Sequence, residues 1–168
     1  MRVRDYSLVL SQFACASYIV LTTRWSVKEI DSLGARECIA LAGWLLVILG
    51  TFLAIWAWFA MGLSRIRISP QPASDIQLVL RPPYKWIRHP MYSGLMLACC
   101  GLLMVHSDLW RQLVLLLLIA TLYCKAIVEE RLLVKKIPAY KDYIAGSGRF
   151  LPAFVEQFFV QYQKVHKA

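Results

Sequence analysis

Tyr84-Lys-Trp-Ile-Arg-His-Pro-Met-Tyr92 is the stretch on which the reading of this chain turns. It sets Lys85, Arg88 and His89 among aromatic rings, directly ahead of an apolar run that begins at Met91. Charged and aromatic groups abutting a long apolar run mark a membrane surface. Pro90 has a fixed φ and no N–H, so it suits the first position of a helix and pushes His89 into a cap-like conformation. The helix that follows turns free N–H groups and a positive dipole end toward any anion that Arg88 also attracts. The plainer reading of the same residues is a basic juxtamembrane anchor with interfacial Trp86 and Tyr92.

Downstream, residues 91–105 and 109–128 are two apolar segments joined only by His106, Ser107 and Asp108, which predicts a tight antiparallel helical hairpin. Upstream, residues 38–63 are free of charge and carry Trp44, Trp56 and Trp58, with Gly43 and Gly50 as points of close helix approach. Residues 6–22 form a shorter apolar segment containing Ser7, Ser11, Gln12 and Ser17, so one of its sides faces protein. Arg2 and Arg4 ahead of it resemble a signal peptide, but no small-residue cleavage site follows, and the segment reads as a retained first span.

The composition agrees with this division. With 59% hydrophobic residues in 168, the chain is too apolar for a soluble protein of its size and is expected to be one membrane domain. The formal charge of +9 is carried largely between apolar spans, where it sets orientation and meets anionic lipid headgroups. The expected partners are therefore the bilayer and a lipophilic or small acceptor, not nucleic acid. Residues 64–90 carry Arg65, Arg67, Arg81, Lys85 and Arg88 against Asp75, which predicts a cytoplasmic loop. Residues 23–37 balance their charges and are placed on the other side. Four spans then leave both termini in the cytoplasm, and residues 154–165 have a weak amphipathic pattern suited to the bilayer surface. The chain is expected to be an all-α, polytopic membrane protein. Its five cysteines are odd in number; Cys15, Cys99, Cys100 and Cys124 lie inside apolar runs, and no disulfide framework is implied.

Beyond the quoted stretch, the last span ends in a polar group of its own. Lys125 and Glu129 share a helix face one turn apart, and Glu129-Glu130 opposes the macrodipole at a helix C-terminus, so the pair has a local cost that calls for a partner. In the bland reading the acids mark the bilayer exit and are neutralised by Lys125, Arg131 or Lys135. His106 and His166 lack acidic or thiol neighbours at metal spacing, and there is no phosphate loop, Ser/His/Asp set or zinc pattern.

Taken in order, Tyr84, Arg88-His-Pro-Met-Tyr92 leading into a hairpin, Glu129-Glu130 at its exit, and Tyr140-x-x-Tyr143 before Leu151-Pro152 resemble the isoprenylcysteine carboxyl methyltransferase family of integral membrane enzymes. The resemblance covers residues 76–152. It implies a cytoplasmic C-terminal region that binds S-adenosylmethionine through Ile76, Gln77, Leu78, Val79, Tyr84, His89, Pro90, Met91, Tyr92 and Glu129. It also implies a substrate contact at Lys125, where the eukaryotic enzymes have arginine; an ammonium replaces a bidentate fork there. Further departures are Pro82-Pro83 where Gly-x usually precedes the tyrosine, and Gly146-Ser-Gly-Arg149 where basic residues are usual.

Methyl transfer from a sulfonium needs an in-line nucleophile, a water-poor pocket and positioning, which backbone, aromatic rings and few charges can supply. In this reading Glu129 takes the cofactor amine or ribose, Arg88 and His89 with the helix start take its carboxylate, and no general base is evident. Two other readings share the sequence: a membrane reductase relative using NADPH, and a non-catalytic module whose pocket holds a lipid or partner.

Overall fold

The structure, a computed structural model, describes residues 3–23, 34–62 and 78–155. Five helices lie in this part: α1 (Val3–Thr22), α2 (Ala35–Met61), α3 (Pro90–Val105), α4 (Leu109–Lys136) and the short α5 (Tyr140–Gly146). The expected segments are recovered with shifted ends. Pro90 is the first residue of α3 with His89 as its N-cap, and the Asp108 carboxylate caps α4 by accepting from Arg111 N at 3.0 Å. α4 outruns its apolar stretch by two turns and ends only ahead of Pro138, where the chain can no longer continue the helix. Residues 24–33, Ile76, Gln77 and the tail from residue 156 lie outside the described part, as do the expectations that fall on them.

Two helices, Glu37–Met61 and Leu109–Lys136, are long and apolar enough to cross a membrane; Tyr6–Thr22 and Pro90–Val105 are shorter apolar helices. Leu41, Leu45, Ile48, Phe52, Ile55 and Phe59 recur every three or four residues along α2 and are all exposed. A continuous apolar stripe of that kind is at home in lipid and not in water. From Leu109, Glu129 lies about 30 Å along α4, about the thickness of a bilayer's hydrocarbon core.

The helices alternate in direction, yet α3 does not pack mainly on its hairpin partner. Its closest neighbour is α2. Gly43 and Gly50 of α2 meet Gly101 and Gly94 of α3, both pairs seven residues apart. A Cβ on Gly50 would come within 2.5 Å of Gly94 O and 2.6 Å of Ala98 N. Only glycine lets the two backbones approach so closely. α1 packs antiparallel on α4. Ser11 hydrogen-bonds Thr121 (3.2 Å), and the fully buried Arg111 donates to Ile19 O (2.8 Å), Thr23 Oγ1 and His106 O. Cys15, Ile19, Cys99, Leu102, Leu118 and Leu122 form the core between these pairs. The start of α1, the end of α2, the start of α3 and the end of α4 therefore gather at one end of the bundle. There Trp56 of α2 makes an edge contact with Trp86 at 6.3 Å.

Candidate functional site

The chain approaches α3 through a turn at residues 81–86 in which the Pro82–Pro83 bond is cis. It then runs parallel to the segment after α5: Gly148 N donates to Trp86 O (3.1 Å), Arg88 N to Gly148 O (2.8 Å) and His89 N to Arg149 O (3.0 Å). The Ser93 hydroxyl donates to Phe150 O at 2.6 Å and the Tyr143 hydroxyl to Tyr84 O at 2.5 Å. Residues 84–93 are thus held by the backbone around residues 147–150, nearly sixty positions later. Since His89 N and Ser93 N are engaged and Pro90 has no N–H, the first turn of α3 leaves the N–H groups of Met91 and Tyr92 without intrahelical partners.

Two polar clusters share this end. In the first, the Tyr92 hydroxyl donates to Glu129 Oε1 at 2.7 Å, and His89 Nδ1 lies 3.5 Å from Glu129 Oε2. The His89 and Tyr92 rings stack at 5.3 Å and an interplanar angle of 4°. Lys125 Nζ stands 5.1 Å over the Tyr92 ring and donates to Gln12 Oε1 of α1 at 2.9 Å. Buried Tyr84 borders this cluster, and its hydroxyl has no hydrogen-bond partner among the described residues. Burial first, then the nearby Tyr143 and Glu129, holds the Tyr84 phenol well above its ordinary pKa, so it is a neutral donor.

The second cluster is a lock. Glu130 accepts from Arg88 Nε at 2.8 Å and from Arg149 Nη2 at 2.7 Å, with Arg149 Nε at 3.1 and 3.2 Å from its two oxygens. Arg88 also donates to Ile144 O (3.1 Å) and Ser147 O. Those carboxylate bonds raise the Arg149 pKa further above its usual value. Arg88, expected at a cofactor carboxylate, places its Nε on Glu130 and its Nη1 on two carbonyls. The bland account is corrected for Glu130 alone. Glu130 is answered by Arg88 and Arg149 from other segments, not by Lys125, Arg131 or Lys135.

Of the residues singled out in the sequence, Tyr84, His89, Tyr92, Lys125 and Glu129 come together, with Pro90 starting the helix that carries Tyr92. Leu78, Val79 and Met91 are half-buried and joined to the cluster by no polar or ring contact among the described residues. The cluster offers an acid with one well-made hydrogen bond, an unpartnered phenol, an aromatic wall and a helix start. That set suits a ligand bearing an amine or hydroxyls, a carboxylate and a flat ring. Sequence reading singled out Glu130, Gln12 and Arg149 without assigning their partners, and gave Phe150 no role. The one available signal was the cost of paired acids at a helix end, which called for cations from elsewhere.

No curated protein and no solved structure matches the chain. A family model described as phospholipid methyltransferase matches residues 38–139, more than half of the chain and all of α3 and α4. With its lipid-facing helices and a polar cluster at their shared end, the chain belongs to the phospholipid methyltransferase family, membrane methyltransferases acting on lipid-like substrates.

Proposed function

We propose that the chain transfers a methyl group from S-adenosylmethionine to a lipid-like acceptor, in the manner of the isoprenylcysteine carboxyl methyltransferases that its motifs resemble. The observation that carries this is the contact of Tyr92 and His89 with Glu129, backed by the unpartnered Tyr84 hydroxyl. When bound, the cofactor supplies an electrophilic methyl on a sulfonium. Glu129 holds an amine or ribose hydroxyls by charge-assisted hydrogen bonds. Tyr84 offers a ring and an unpartnered hydroxyl, Tyr92 orients Glu129 through its own hydroxyl, and the N–H groups of Met91 and Tyr92 receive a carboxylate. The family resemblance adds Ile76, Gln77, Leu78 and Val79 to the residues that contact the cofactor.

The lock of Glu130 with Arg88 and Arg149 holds these groups in place, so catalysis rests on orientation and exclusion of water. Lys125 faces the acceptor. Four spans with both termini and the site in the cytoplasm follow from the excess of Lys and Arg at this end. The test is transfer of labelled methyl groups from S-adenosylmethionine into a lipid extract by the purified protein. Incorporation supports the proposal. Folded protein that binds the cofactor and labels no lipid contradicts it.

A further inference from the structure

Lys125 is only 5% exposed, inside an apolar bundle, and among the described residues no carboxylate forms an ion pair with it. Glu129, one turn on, directs its oxygens to Tyr92 and His89 and acts on the ammonium only from beyond ion-pair distance. The ammonium has three N–H donors. The Gln12 carbonyl takes one and the Tyr92 ring face stabilises the charge, but both partners are neutral. An ionised group at this depth faces a ligand path or an opposite charge.

We propose that Gln12 of α1 is a positioning and selectivity residue for the methyl acceptor, aiming Lys125 so that the two side chains together bind an oxyanion of that acceptor. The inference rests on the methyltransferase reading above and adds the acceptor's chemistry. While its carbonyl accepts from Lys125, the Gln12 amide keeps two N–H donors, so the pair presents a charge and a directional donor side by side. α1 is held in register for this by the Ser11–Thr121 hydrogen bond one turn of α4 away and by Arg111 on Ile19 O. α1 lies outside the family match at 38–139. Tyr92 links the two sites: its ring underlies Lys125 and its hydroxyl reaches Glu129. The oxyanion is a lipid phosphodiester or the carboxylate of a prenylated cysteine.

The experiment follows labelled methyl transfer by wild type, Gln12→Leu, Gln12→Glu and Leu10→Ala in detergent, in separate arms with phosphatidylethanolamine and N-acetyl-farnesylcysteine. The arm that turns over names the source of the oxyanion. Gln12→Leu is expected to raise the acceptor KM by about tenfold or more, with the cofactor Kd unchanged. Gln12→Glu raises it further, because the new carboxylate occupies the ammonium and repels the acceptor, while the unfolding midpoint holds or rises. Leu10→Ala, at an exposed position of the same helix, leaves the KM unchanged. Acceptor KM values at the wild-type level in both Gln12 variants overturn the inference, as does a loss that merely tracks a lowered unfolding midpoint in both. Wild-type protein that binds cofactor but methylates neither acceptor overturns the oxyanion class. Failure to bind cofactor at all overturns the reading beneath it.

Discussion

Glu129 and Glu130 are consecutive in α4 and have separate occupations: Glu129 accepts the Tyr92 hydroxyl at 2.7 Å, while Glu130 is clasped by Arg88 at 2.8 Å and Arg149 at 2.7 Å. Side chains about 100° apart on a helix face different neighbours. The Glu130 side chain is 8% exposed and its charge is matched; that of Glu129 is 19% exposed, with no arginine in contact among the described residues. His89 lies between the two, Nδ1 3.5 Å from Glu129 and Nε2 3.4 Å from Glu130, and in the proposed function Glu130 serves structure and Glu129 binding.

Glu130→Gln leaves Arg88 and Arg149 without their shared acid and removes the ionic part of the link between the segment after α5 and the start of α3. A loss of about 3 kcal/mol is expected, at the lower end for a broken buried pair because Arg149 is a quarter exposed. The midpoint of thermal unfolding in detergent measures it. A midpoint equal to wild type would show that the lock contributes nothing.

Tyr92→Phe keeps the stacking with His89 and the ring beneath Lys125 but removes the hydroxyl that orients Glu129. Cofactor affinity is expected to fall by about 1 kcal/mol, roughly fivefold. Titration calorimetry reads this directly. An unchanged Kd would remove Tyr92 from the set that positions Glu129.

How far each feature was legible in the sequence depended on its range. Apolar runs, Pro90 as a helix start, and the short link at residues 106–108 are local, and each appears where its residues predict. The end of α4 was misjudged because apolar character stops at Val128, whereas helical hydrogen bonding continues to Lys136 until Pro138 approaches. Helix partners were not legible. Gly43 and Gly50 were visible as contact points, but their fit to Gly101 and Gly94 is a relation between segments fifty or so residues apart. Gln12 with Lys125, and Arg149 with Glu130, are likewise polar pairs that only the packing of α1 and α5 creates.

Gly50→Ala tests that packing. Its Cβ would meet the backbone of Gly94 and Ala98, which cannot yield as a flexible side chain would, so α2 and α3 must separate. A loss of about 1–3 kcal/mol is expected. Gly146→Ala, where a Cβ meets nothing within 4 Å, serves as control and should leave the unfolding midpoint unchanged. Equal midpoints for both variants would refute the close glycine contact.

Alkaline pH offers a further check. Burial first, partly opposed by Arg88, pushes the Tyr143 phenol up from 10.0 to about 12, and burial raises Tyr84 and Tyr140 as well. A folded-state value above the unfolded one means the unfolded chain releases its proton first. The contribution is therefore fully present below about pH 10 and is lost as pH rises toward about 12. Tyr143→Phe is expected to flatten part of this decline in an unfolding series from pH 8 to 12. An identical slope in the variant would show that Tyr143 does not titrate in that window.

The central claim, that the end of α4 faces the cofactor, is tested most directly by titrating S-adenosylmethionine into detergent-solubilised wild type and Glu129→Gln. The variant keeps the shape and loses the charge-assisted part of the bond. It is predicted to bind about 10- to 150-fold more weakly, a cost of about 1.5–3 kcal/mol, with the unfolding midpoint of the empty protein unchanged. Equal affinities for the two proteins would contradict the account.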